Sequence, residues 1–202
     1  MNYPIMELEI LQQPKRACVV EMGERYRRPI DPPPILRLNT NIIDESAFLE
    51  FMNSNVIAVH ANLVSEESTE NIDNIVNTYS SLSRSTFNSF SKKEGRVLLG
   101  SLTASCNIVR GLSDEKSCYF VFPDLYVSIE GTYRLKFSLV VIPSTSEAES
   151  VNARVSSYLI SDSFIAFPSS EFPGVEESSL LSKTLAEQGV GIPIRNKSRL
   201  KR

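Results

Sequence analysis

Tryptophan is absent from the 202-residue chain, and histidine occurs once, as His60. One imidazole in the middle of a strand-like segment is a poor basis for acid–base or metal chemistry. Cysteine is scarce as well. Cys18, Cys106 and Cys118 are odd in number and far apart, which argues against a disulfide framework and favours a reducing compartment. They also lack the close spacing of a zinc site. No apolar run approaches the length needed to span a membrane. The opening stretch MNYPIMELEI carries no basic region followed by a long apolar run, so it does not read as a signal peptide. The chain reads as soluble and intracellular, with no membrane partner. No GxSxG, GxGxxG or P-loop pattern occurs. The neighbouring carboxylates Glu66/Glu67 and Glu176/Glu177 lie in polar stretches, where nothing would raise one pKa selectively. These absences point away from an enzyme and imply no cofactor, no metal and no small-molecule substrate.

What is present is a good core and an uneven distribution of charge. Hydrophobic residues make up 42% of the chain, ample for one folded domain. The net charge is only −3, yet no Lys or Arg occurs between Arg37 and Arg84, where Asp44, Glu45, Glu50, Glu66, Glu67, Glu70 and Asp73 gather. Basic residues cluster at Lys15–Arg28, Arg84–Arg96 and Arg195–Arg202. Local clusters suffice to grip a polyanion, because screening makes electrostatic contact a short-range matter.

Period-two alternation marks strands at Ile5–Gln12, Val56–Leu63 and, most clearly, Gly131–Ile142. In the last, Tyr133, Leu135, Phe137, Leu139 and Val141 alternate with Arg134, Lys136 and Ser138. Further strands are predicted at Ile35–Leu38, Arg96–Asn107, Cys118–Phe122, Val151–Ile160 and Ser163–Phe167. His60 should point away from the face carrying Ile57, Val59 and Ala61. Ser65–Ser91 is rich in Ser, Thr, Asn and Glu and reads as a solvated, mobile loop with a short helix near Ile72–Tyr79. Only Ser179–Gln188 has a good helix pattern, with a serine cap at its start, Gly189 just past its end, and Leu181 and Leu185 on one face. Many strands and one late helix predict an all-β, antiparallel sandwich. The domain spans 1–195, with a variable insertion at 65–95 and a basic tail at 196–202.

One segment is chemically distinctive. Lys15, Arg16, Arg25, Arg27 and Arg28 precede the proline run Pro29-Ile30-Asp31-Pro32-Pro33-Pro34. Such a segment can be no more than a solvated loop with a stiff exit. It can also be a phosphate clamp, since arginine forks suit phosphate oxygens and guanine edges. Proline stiffening lowers the entropy lost on docking. About four to five such contacts would give log affinity against log salt a slope near −4.

Several blocks, in order, resemble the velvet family of fungal regulators. They are QQPKRA at Gln12–Ala17, RRPIDPPPI ending at Ile35, LLGSLTASC at Leu98–Cys106, YFVFPDLYVSIEGTYRLKFSL at Tyr119–Leu139, and FPGVEESSLLSKTLAEQGVGIPIR at Phe172–Arg195. Asp44–Lys93 matches poorly. The resemblance implies a Rel-like immunoglobulin fold and sequence-specific binding of double-stranded DNA. It further implies homo- or heterodimers with another velvet-domain protein, and nuclear roles, with a cytoplasmic pool, in development, sporulation and secondary metabolism. It places DNA contact on Arg25, Arg27 and Arg28, with Lys15 and Arg16 close by. Gly23 stands where DNA-binding members can carry another Lys. The block Phe122-Pro123-Asp124-Leu125 and the late helix are similar to the spore-viability branch. Arg195, Lys197, Arg199, Lys201 and Arg202 form a tail that is either solvated or a nuclear-import signal and auxiliary DNA contact. The rival reading is a velvet partner protein that acts through protein contacts and binds little DNA.

Overall fold

The computed structural model describes residues 4–19, 28–66, 71–72, 96–143 and 154–196. Its centre is built by the two segments with the clearest alternation. Strands β4 (Asn55–Ser65) and β10 (Gly131–Pro143) pair antiparallel from Tyr133↔Ser65 to Pro143↔Asn55. Ile57, Val59, Ala61 and Leu63 face the same way as Leu135, Phe137, Leu139 and Val141, and all eight are buried. Around this pair runs one sheet in the order β2 (Arg16–Cys18), β12 (Phe164–Phe167), β10, β4, β6 (Thr103–Ser105). Strand β11 (Arg154–Ile160) takes the edge of β10 beyond β12. At the changeover, Leu135 donates its N–H to Ser161 Oγ (2.9 Å) and accepts from Ser161 N (2.8 Å), which explains a buried serine there.

The facing sheet runs β1 (Met6–Gln12), β3 (Ile35–Thr40), β8 (Lys116–Val121), β7 (Asn107–Arg110). Leu36, Leu38, Cys118 and Phe120 point inward and share the core with the β4/β10 face. The Phe122 and Phe137 rings meet at 5.2 Å. A two-stranded ladder, β5 (Leu98–Leu99) with β9 (Tyr126–Val127), completes the sheets. The result is the all-β, immunoglobulin-like sandwich that the sequence predicts.

The late helix, here α2 (Leu180–Glu187), covers the outer face of this second sheet. Leu181, Leu185, Val190 and Ile192 pack on Ile35, Tyr119 and Val121, and burial of each such side chain contributes about 2 kcal/mol. Ser179 caps the helix by accepting from Ser182 N (3.0 Å), and Gly189 takes φ +91° just after it. Gln12, buried at the end of β1, donates to Pro33 O (2.7 Å) and Ser182 Oγ (3.1 Å) and accepts from Ser179. Gln188 exchanges two bonds with the Arg110 backbone, at 2.8 and 2.7 Å. Helix α2 is therefore fixed at both ends.

The structure departs from the sequence reading at four places. A second helix, α1 (Glu45–Asn53), lies where the sequence pattern assigned no element; Asp44 caps it by accepting from Ala47 N (2.8 Å). The predicted strand Arg96–Asn107 is three short pieces. Gly100 breaks it at φ +99°, where an added Cβ would lie 1.9 Å from Asp124 O. The sandwich is not wholly antiparallel, because β2 pairs parallel to β12. Finally, Cys106 and Cys118 form a disulfide with Cα atoms 5.5 Å apart. The β7–β8 hairpin, in register Ile108↔Cys118, folds residues distant in sequence onto one another, so their spacing was misleading. Cys18 is free and buried. Most of the predicted insertion at 65–95, including the helix near Ile72–Tyr79, lies outside the described residues. Its described part is anchored: Ile72 N donates to Leu63 O (3.0 Å), and its side chain packs on the core.

Candidate nucleic-acid interface

The base of the basic segment is a closed joint. Arg16 and Asp31 bridge antiparallel, with Arg16 N to Asp31 O at 3.0 Å and Asp31 N to Arg16 O at 2.8 Å. Lys15 N also donates to Asp31 O (3.2 Å). On the outgoing side Val19 N is held by Phe167 O (2.9 Å), and on the return Ile30 N is held by Leu125 O (2.7 Å). Each stem is thus tied to a different part of the sandwich.

Three elements of the C-terminal segment close on this joint. The Asp31 side chain is buried, and its carboxylate accepts from the Arg195 guanidinium and from Glu176 N (2.7 Å). The Glu176 carboxylate in turn bridges two cations, accepting from Lys15 Nζ at 3.1 Å through Oε2 and from Arg16 through Oε1. Arg28 is exposed, with its guanidinium carbon 5.5 Å from the centre of the Phe172 ring. An open groove lined by Pro29, Ser101, Thr103, Asp124, Tyr126 and Arg195 adjoins the joint. Within it Asp124 Oδ2 accepts from Ser101 Oγ (2.8 Å), while buried Oδ1 has no partner among the described residues.

Of the five residues predicted to meet DNA, the structure brings Lys15, Arg16 and Arg28 to one end of the sandwich. Arg25 and Arg27, with Gly23, lie outside the described residues. Arg195, at the start of the basic tail, pairs with the buried carboxylate of Asp31. Lys197, Arg199, Lys201 and Arg202 lie outside the described residues. Sequence reasoning missed Asp31, Phe172 and Glu176. The first was hidden in a proline run, and the other two lie far away in the sequence. His60 behaves as expected: it sits on the outer face of β4 with Nδ1 3.0 Å from Thr103 Oγ1. Among the described residues no group of three His, Cys, Asp or Glu could hold a metal ion, and no helix is long and apolar enough to cross a membrane.

The sheet order, the docked C-terminal helix and the loop joint define an immunoglobulin-like β-sandwich of the Rel type. The sequence profile described as "Velvet factor" matches residues 6–199, and the chain belongs to the velvet family. It is 33% identical over 195 residues to the sexual development regulator umv3 of Mycosarcoma maydis, covering 96% of this chain and 46% of that protein. It is 32% identical over 192 residues to the sexual development regulator VELC of Pyricularia oryzae, covering 93% and 40%. It is 32% identical over 196 residues to the spore development regulator RYP2 of Ajellomyces capsulatus, covering 95% and 43%. The chain thus spans less than half the length of these relatives. It is homologous to regulators of both sexual and spore development.

Proposed function

We propose that this chain is a sequence-specific DNA-binding transcriptional regulator of fungal development, sporulation and secondary metabolism, acting in the nucleus as a velvet homo- or heterodimer. The observation that carries the reading is the braced joint at Arg16 and Asp31, from which a segment bearing Arg25, Arg27 and Arg28 departs. A basic segment on fixed stems loses less entropy on docking than a free one. Its arginines can meet phosphates and base edges together. Within the acidic stretch from Asp44 onward, Glu45 pairs with Lys116 at 2.8 Å.

Fluorescence anisotropy with random and genomic duplexes tests the reading. The combined Arg25→Ala, Arg27→Ala and Arg28→Ala variant should lose DNA binding while melting like the parent. Equal affinity in that variant would refute it. Mixing with a second velvet domain should raise affinity and produce a dimer in sedimentation. A chain that stays monomeric and gains nothing would remove the pairing. The alternative, a partner protein that binds little DNA itself, draws support from the engagement of both Lys15 and Arg16 by Glu176.

A further inference from the structure

Lys15 and Arg16 are cations in the right neighbourhood for DNA, yet neither is idle. One carboxylate holds both, one oxygen to each, in the bridging manner a phosphate group would use. That carboxylate is itself braced from behind. Glu176 N is held by Asp31 Oδ2 at 2.7 Å, Asp31 is held by Arg195, and Asp31 O accepts from the backbone N–H groups of Lys15 and Arg16. Anion and cations are therefore presented to each other by one fixed backbone cluster. Arg16 is further shielded, with its side chain only 23% exposed against 56% for Lys15.

We propose that Glu176 acts as a built-in competitor of the DNA backbone, withholding Lys15 and Arg16 from phosphates and so setting how strongly the domain grips any duplex. The proposal rests on the DNA-binding reading above. A tethered anion on a braced backbone acts at an effective concentration in the millimolar range or higher, which a single passing phosphate does not match. Phosphate contacts carry no sequence information, so withholding two of them weakens cognate and random binding alike and leaves affinity to rest more on contacts with base edges. With Arg25, Arg27 and Arg28 as the remaining contacts, the salt slope of the native chain falls near −3, not near −4.

The full chain and three variants test this. Glu176→Gln keeps the shape and removes the charge. It should elute from heparin at higher salt than the parent. It should also bind random duplex about tenfold more tightly near 0.1 M salt, with a slope steeper by about 1 to 2. Lys15→Gln in the parent background should leave the slope unchanged, whereas Lys15→Gln in the Glu176→Gln background should take back about 1 of the added slope. A parent-background Lys15→Gln that loses that much slope overturns the proposal, because Lys15 is then already on DNA; this arm does not depend on how well Glu176→Gln folds. If the loop-arginine variant loses DNA while Glu176→Gln, melting normally, changes neither slope nor heparin elution, the competitor role fails and DNA binding stands. If the parent binds no duplex, the DNA reading fails, and unchanged heparin elution of Glu176→Gln overturns the competitor role separately.

Discussion

Replacing Asp31 by alanine should destabilise the domain far more than its place in a proline-rich loop suggests. The substitution leaves the backbone bonds to Lys15 and Arg16 available but deletes a carboxylate that accepts from Arg195 and from Glu176 N. A charge-assisted bond is lost, worth about 1.5–3 kcal/mol, and an N–H in a half-buried segment is orphaned at about 1–3 kcal/mol. Arg195 retains some access to water, its side chain being 23% exposed, so its own loss is partly recovered by hydration. The expected cost is about 3 kcal/mol, toward the lower end of what breaking a buried pair removes. For a domain of this size that is a fall of about 6–12 °C in Tm. Asp31→Asn should cost less, about 2 kcal/mol, since one acceptor survives and one becomes a donor facing a donor. Arg195→Ala should cost about 1–2 kcal/mol, and the double variant should show a coupling of at least about 1 kcal/mol. Calorimetric melts with urea midpoints at unchanged m would measure all of these. An Asp31→Ala protein melting within about 2 °C of the parent, with no coupling to Arg195, would mean that the joint is held by its backbone bonds alone.

Other outcomes follow from the same packing. Gly100→Ala should cost about 2 kcal/mol or more, because φ is +99° and the new Cβ would meet the Asp124 carbonyl; a neutral result in a urea titration would contradict the close approach. Bonds from Asn39 and Arg37 hold the Glu9 carboxyl below its ordinary 4.5. Its folded pKa is depressed, so the stabilisation is present above about 4.5 and fades as pH falls through the lower folded value. Glu9→Gln should therefore lie closer to the parent in acid than at neutral pH, and parallel stability–pH curves would rule this out. Removing residues 74–93 should change stability by less than about 1 kcal/mol, since loop length costs little. A deletion that also takes Asn71 and Ile72 should cost more by loss of a core contact, and equal melting of the two would disprove the anchor.

The parts of the fold legible in the sequence are those where local pattern and global burial agree. The alternation in Gly131–Ile142 and Val56–Leu63 names the two central strands, and it turns His60 outward. Ser179 and Gly189 mark both ends of α2 because cap chemistry is local. Helix α1 escaped notice because it buries none of its residues; Phe48, Phe51 and Met52 only rest against the core, and Asp44 was its one clear signal. The segment after Arg96 looked continuous because its apolar residues run together, whereas the break at Gly100 is dictated by a carbonyl more than twenty residues away. The same holds at the candidate site. The basic cluster is visible as composition, but Glu176, the partner of Lys15 and Arg16, is about 160 residues distant, and no local rule links them.

The order in which the chain is made gives the docking of α2 a further meaning. Leu11, Ile35, Tyr119 and Val121 belong to strands whose last member ends at residue 121, yet their cover is supplied by residues 181–192. During synthesis the outer face of this sheet stays bare until the helix emerges, and a chain halted before Phe172 presents it to solvent permanently. Contiguous exposed apolar surface of this kind invites association with chaperones or with other chains. The seventeen residues from Ser178 to Ile194 thus act as a completion seal, by which a finished molecule differs in surface chemistry from an unfinished one.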